Sequence, residues 1–224
     1  AREGWLKADV PSLTFERARQ FCTSVVNESN TGQRITDIDP MVSLTFPTGQ
    51  RAQFVIPPAV TRGRQFHRFL TYGFVHGDFM HLAFNMITLY FFGRLMEGFY
   101  GDYLGPLGFV GFYLSALVVS ALPSYLRHRH DPEYATLGAS GAVSAVLFAF
   151  ILLQPWQIIY VYVIPVPAII YAVLYVVYSI YAERKQADRI NHSAHLAGAA
   201  YGVLFTVLME PRVLGHFWQT LWNP

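Results

Sequence analysis

Charged residues thin out after the first third of the chain, and the gaps between them are long. Tyr103 to Leu126 carries no charge over 24 residues, Tyr134 to Ala182 none over 49, and Ile190 to Met209 none over 20. An earlier apolar run starts at Phe79 and is closed near Tyr100, after Arg94 and Glu97. A helix needs roughly 20 apolar residues to cross a bilayer. The longest run therefore holds two crossings, separated where Pro155, Pro165 and Pro167 interrupt helical hydrogen bonding. The pattern predicts five crossings, at about 77–98, 104–124, 138–154, 165–182 and 191–210. Lipid offers backbone polar groups no partner, so the predicted fold class is all-α, a polytopic transmembrane helical bundle.

The first third reads differently. Residues 1–68 hold 9 Lys/Arg and 6 Asp/Glu, as many charges as the 156 residues that follow. Residues 1–60 are expected to form a polar or interfacial segment without a crossing, with Phe54 to Pro58 as an interfacial loop. Residues 61–210 then form the membrane domain, and 211–224 a short tail. Composition narrows the function. The chain is 53% hydrophobic and 13% charged, against about 25% charged in a typical soluble domain. That argues against a soluble enzyme, a disordered chain or a nucleic-acid binder, and a net charge of +2 adds no polyanion signal. Cys22 is the single cysteine, which excludes an intrachain disulfide framework and a cysteine-based zinc cluster.

Polar side chains inside a crossing are costly and need a reason. The first crossing opens with His76, His81 and Asn85, the third with Gly138, Ala139, Ser140 and Gly141, the fifth with Asn191, His192, Ser193, Ala194 and His195. These three crossings run in one direction, so their polar N-terminal ends meet at one membrane face and at similar depth. Gly141, Ala145 and Ala149 repeat at four-residue spacing, as do Ala194, Gly198 and Gly202. Such stripes let membrane helices approach closely. Facing stripes would bring Ser140 within hydrogen-bonding range of His195. A serine becomes a nucleophile when a neighbouring base takes its proton. The resulting oxyanion needs fixed donors, which the Ser140 N–H at a helix start, His81 and Asn85 could supply.

These residues resemble a known family. Gly138-Ala139-Ser140-Gly141 is similar to the GxSG motif of rhomboid intramembrane serine proteases. His76, His81 and Asn85 fit that family's HxxxxHxxxN pattern, and Ala194-His195-Leu196-Ala197-Gly198 with Gly202 fits AHxxGxxxG. Arg68 resembles the arginine of the loop ahead of the second family helix, and Glu97 an acid closing that helix. Residues 65–103 and 134–180 look most like bacterial rhomboids, Bacteroidetes in particular, which implies a multi-pass protein of the bacterial cytoplasmic membrane. The resemblance implies a Ser140–His195 dyad and an oxyanion site from Ser140 N–H, His81 and Asn85. His76, Gly138 and Gly141 would be accessory, with Ala194, Gly198 and Gly202 in helix packing. It implies an acyl-enzyme mechanism acting on transmembrane protein substrates, cut near the membrane surface after a small residue. It further implies a lateral gate at 165–182, a capping loop at 183–191, membrane lipids as surroundings, and no metal or organic cofactor.

The sequence departs from that pattern in places. The family core has six helices, and none is seen before the His76 loop. Many members carry an aromatic residue four after the nucleophile, stacked on the histidine; this chain has Ser144. The active face would share its side with 14 of the 16 Lys/Arg, which predicts a cytoplasmic face, whereas bacterial rhomboids imply the outer one. Arg68 and Glu97 are expected to be structural, His192 to lie near the site or at the interface, and His128 and His130 to be solvated. The Tyr- and Trp-rich stretch from Trp156 to Tyr181 is expected to anchor in the interface. Two other readings use the same residues. One is a non-catalytic rhomboid-like protein that binds transmembrane helices. The other is a metallohydrolase using His76, His81, His192 and His195. The latter is disfavoured, since residues five apart are turned by about 140° on a helix and no HExxH motif or inward carboxylate completes a site.

Overall fold

The computed structural model describes residues 41–45, 51–55, 67–76, 78–129, 136–161, 163–185 and 190–223. The chain divides into two compact units, Ala1–Pro58 and Ala59–Pro224. Within the first, β1 (Met41–Thr45) pairs antiparallel with β2 (Arg51–Val55), in a register that sets Ser43 opposite Gln53. Phe54 and Val55 thus belong to a strand and not to an interfacial loop; Ile56 to Pro58 lie outside the described residues.

The second unit is helical. A short α1 (Arg68–Thr71) and a 3-10 turn (Tyr72–Phe74) lead into α2 (Phe79–Thr88), which continues through a π-helical turn (Leu89–Gly93) into α3 (Arg94–Leu104). The Asp78 side chain starts α2 by accepting from His81 N at 2.8 Å. The helix ends at Gly105, whose φ of 80° places it in the left-handed region where a Cβ is penalised. After it come α4 (Gly108–His128), α5 (Ser140–Leu153), a hairpin of β3 (Ile158–Val161) and β4 (Ile164–Pro167), α6 (Ala168–Lys185), α7 (His192–Met209) and α8 (Arg212–Trp222).

These elements correct several expectations. The two hairpins mean the fold is mainly, not wholly, helical. The run expected from 165 becomes helical only at Ala168, because Pro165 and Pro167 lie on β4, paired opposite Tyr160 and Ile158. Proline is tolerated there because a two-stranded hairpin leaves half its N–H positions unpaired. The first apolar helix continues to Leu104, past the charges expected to close it, and α4 runs on through Arg127 to His128. The expected tail forms α8.

Among the described residues, α4 and α7 are the helices long and apolar enough to cross a membrane alone, so this measure does not confirm five crossings. The apolar α5 has 14 residues, and α6 ends in the charges Glu183, Arg184 and Lys185. Even so, α6 exposes Val173, Leu174, Val177, Tyr178, Ile180 and Tyr181.

The centre of the unit is α5, with twelve of its 14 residues buried. It packs on α7 with no side chain between them: a Cβ on Gly198 would run into the Gly141 carbonyl, and one on Gly202 into that of Ala145. On another side, a Cβ on Gly141 would meet Ser120 Oγ of α4 at 2.5 Å. Around this seam sits an aromatic cluster, with ring centroids 4.5 Å apart for Tyr100 and Phe112 and 5.1 Å for Phe112 and Phe205.

Hydroxyl pairs tie the helices across the apolar interior. Thr206 donates to the Gly202 carbonyl at 2.6 Å. Its single proton is thereby used, so Tyr100 OH donates to Thr206 Oγ1 at 2.7 Å. In the same way Tyr201 OH donates to Ser115 Oγ at 2.6 Å, while Ser115 donates to the Phe112 carbonyl at 2.8 Å. Each clasp satisfies every hydroxyl proton and joins two helices. At the far end of α5, His216 Nε2 donates to the Leu153 carbonyl at 2.9 Å and Trp156 Nε1 to that of Thr220 at 3.1 Å, which seats α8.

Candidate active site

The turn before α5 is shaped by Gly138, with φ 97°, a conformation that disfavours any side chain. Its N–H donates to the Tyr72 carbonyl at 3.1 Å. Tyr72 is itself buried, and its hydroxyl donates to the Leu117 carbonyl at 2.8 Å. Ser140 follows as the first residue of α5 and is half-buried. At the start of α7, the Asn191 side chain accepts from Ala194 N at 3.1 Å. The same amide donates to Thr136 Oγ1 at 2.9 Å, on the loop leading to Ser140, and to Ser124 Oγ at 2.8 Å on α4. One asparagine thus joins the approach to Ser140, the end of α4 and the first turn of α7, the turn that carries His195.

Ser140 Oγ lies 2.7 Å from His195 Nε2. His81, in the first turn of α2, comes up against the same turn: a Cβ on Gly138 would lie 2.6 Å from His81 Cε1 and 3.0 Å from Nε2. Asn85 sits one turn further along α2, 6% exposed, and its Nδ2 is buried with no hydrogen-bond partner among the described residues. His76 stands ahead of α2 with its ring edge-on to His81 at 5.2 Å. Burial, and then the neighbouring His81, holds its pKa below the ordinary 6.5. Gly141 and Ala194 meet where α5, α4 and α7 converge, and Gly198 and Gly202 form the seam behind them. The structure therefore gathers Ser140, His195, His81 and Gly138 at one place, with His76 against His81.

The surroundings of His195 hold what sequence reasoning missed. Tyr175 of α6 lies nearly parallel to the imidazole, 6.0 Å between centroids and 22° between planes. Its hydroxyl meets Ser144 Oγ at 2.6 Å, and Ser144 donates to the Ser140 carbonyl at 2.8 Å. Tyr175 belongs to the stretch read as interfacial anchoring, yet it turns inward; no spacing rule distinguishes it from Tyr171 or Tyr178. His192 is 3% exposed, with its ring edge-on to Tyr178 at 5.5 Å and to His195 at 5.8 Å, so it lies near the site. Glu183 pairs with Arg127 and accepts from Ser193 N at 3.1 Å, which ties the end of α6 to the start of α7. Arg68 is 4% exposed at the start of α1. Of the expected capping loop at 183–191, residues 186–189 lie outside the described residues, as does His130. Among the described residues, no group of three or more His, Cys, Asp or Glu side chains is placed to hold a metal ion.

The family model for the rhomboid domain matches residues 63–212, well over half of the chain. The chain belongs to the rhomboid family. Among rhomboid relatives, the mitochondrial RHOMBOID-like protein 12 of Arabidopsis thaliana is 35% identical over 153 residues, 62% of this chain and 45% of that protein. The mitochondrial Rhomboid protein 1 of Saccharomyces cerevisiae is 30% identical over 141 residues, 59% of this chain and 38% of that protein. This chain spans less than half the length of these relatives. Both are eukaryotic and mitochondrial by name, so they lend no support to the expectation of a Bacteroidetes-like protein of the bacterial cytoplasmic membrane. A shorter likeness, 38% over 60 residues, is to the type IV secretion system protein VirB11 of Bartonella quintana and covers 27% of this chain and 16% of that protein. Rhomboid membership, with α4 and α7 both apolar and long enough to span, supports an integral membrane protein.

Proposed function

We propose that this rhomboid is an intramembrane serine endopeptidase with a Ser140–His195 dyad. The observation that carries the reading is the 2.7 Å approach of Ser140 Oγ to His195 Nε2, at the starts of two helices whose backbones touch. With Nε2 unprotonated, the Ser140 hydroxyl donates to it and loses its proton to it on attacking a peptide carbonyl. The oxyanion forms beside the start of α5, where helical N–H groups lack intrahelical partners. Ser140 N–H, Asn85 Nδ2 and His81 are its donors. His195 then protonates the leaving amine, and water, activated by the same histidine, releases the acyl group. His76 sets the position of His81, and Gly138 and Gly141 leave room for the approach of α2, α4 and α7. No metal or organic cofactor takes part.

The substrates are transmembrane proteins, and the neighbours are membrane lipids. The bundle crosses the membrane five times, through α2 with α3, α4, α5, α6 and α7. As a 14-residue helix, α5 rises about 21 Å, less than the hydrocarbon thickness of about 30 Å. In this reading its Ser140 end is the submerged one, where a substrate helix is cut near its end. Residues 1–60 are a polar or interfacial segment outside the rhomboid domain.

The test is labelling with a fluorophosphonate in detergent or liposomes, comparing wild type, Ser140→Ala and His195→Ala. Labelling that both variants lose supports the dyad. A folded wild type that stays unlabelled overturns it and favours the non-catalytic reading, a protein that binds transmembrane helices.

A further inference from the structure

We infer that Tyr175 is a positioning residue for His195, held in place by Ser144; this rests on the protease reading above. Position 144, where a ring could have risen from α5 to cover the histidine, carries a hydroxyl instead. The ring comes from α6. Tyr175 lies 22° from the His195 imidazole at 6.0 Å between centroids, against 55° at 5.4 Å for Phe148 and 37° at 5.7 Å for Tyr171, so of the three it is most nearly parallel to the imidazole. The direction of the hydrogen bonds is also settled. The Ser140 carbonyl only accepts, so Ser144 spends its proton there and Tyr175 OH must donate to Ser144 Oγ. This is the clasp already seen at Thr206 and Ser115, used a third time and ending on the backbone of the reactive serine.

The ring of Tyr175 carries the restraint on the dyad, and its hydroxyl clasp adds a smaller part. Its face limits the tilt of the imidazole, and its hydroxyl runs through Ser144 to the residue that bears the nucleophile. A nearly parallel ring on that side narrows the range of tilts open to the imidazole. Small losses of orientation carry large rate penalties, up to about 100-fold for a displacement of about 1 Å.

The experiment uses the full chain in liposomes and a fluorophosphonate probe, with the maximal labelling rate and the half-saturating probe concentration measured separately. Tyr175→Phe keeps the ring and should label within about threefold of wild type. Tyr175→Leu and Tyr175→Met remove it and should lower the maximal rate by about 10- to 100-fold, with the half-saturating concentration unchanged within twofold. The inference is overturned if a folded ringless variant keeps the wild-type rate within twofold, or if Tyr175→Phe loses as much as the ringless pair. Should the leucine variant fail to fold, the methionine variant, closer in reach, decides. A wild type that never labels at Ser140 overturns the protease reading; a labelled wild type with indifferent ringless variants overturns only the role of Tyr175.

Discussion

The α5–α7 and α5–α6 contacts converge on the same pair of residues and are built in opposite ways. Between α5 and α7 the backbones touch, and Gly198 and Gly202 admit no Cβ against Gly141 and Ala145. Between α5 and α6 the contact near the dyad runs through side chains, from Tyr175 to Ser144 and Phe148. The first contact leaves one possible spacing between Ser140 and His195. The second leaves the spacing alone and selects the tilt of the imidazole. Distance and orientation, which a reactive pair needs together, are here assigned to different helix pairs.

That contrast can be broken experimentally. The largest effect is expected from the dyad itself: Ser140→Ala and His195→Ala should each reduce cleavage or labelling by about 1,000-fold or more, and the double variant little further, since residues acting as a unit are not additive. A few-fold loss from either single variant would make the shared focus of the two contacts irrelevant. Next comes Gly198→Ala, which forces a methyl into the Gly141 carbonyl. Overpacking of this kind costs about 1–3 kcal/mol or more, and labelling should vanish with it. Thermal unfolding in detergent should show a smaller drop for Ser144→Ala, about 1 kcal/mol. Equal drops would mean the two contacts are not built differently.

Asn191→Ala should cost about 1 kcal/mol for the lost cap and slow labelling more than it lowers stability, because Asn191 also holds the loop before Ser140. The smallest effect concerns His76. Its folded pKa lies below the unfolded value of 6.5, so below that pH the unfolded chain takes up the proton first. Stability should be full above about 6.5 and decline as pH falls toward the folded value. His76→Gln should flatten the melting temperature between pH 5 and 7.5; an unchanged slope would remove His76 from the set of groups packed at the site.

The seam was legible in the sequence because glycine and alanine at four-residue spacing have a geometric meaning that needs no partner. Ser140 and His195 could be brought together from helix direction and those stripes alone. Tyr175 could not. It is one of several tyrosines on α6, and whether it faces lipid or histidine depends on the rotation of that helix, which the hairpin of β3 and β4 sets at Ala168. Two prolines in that hairpin were read as marking a helix break, and the break between α5 and α6 does fall there, filled by strands. The reach of Asn191 to Thr136 and Ser124 joins residues 55 and 67 positions away, beyond any local pattern. The π-helical turn at Leu89–Gly93 left no mark in the spacing of apolar residues either.

The glycine seam also bears on how such a protein can change over time. Side chains around Ser140 and His195 can be exchanged one at a time, since each makes its own separate contact. Between α5 and α7 there is nothing to exchange. Every substitution at Gly198 or Gly202 adds atoms where carbonyls already lie, and no compensating deletion is available opposite, because a carbonyl cannot be made smaller. Drift is free to move the rim of the site and barred from its axle, so separate lineages would differ in how the histidine is braced long before they differ in how far it stands from the serine.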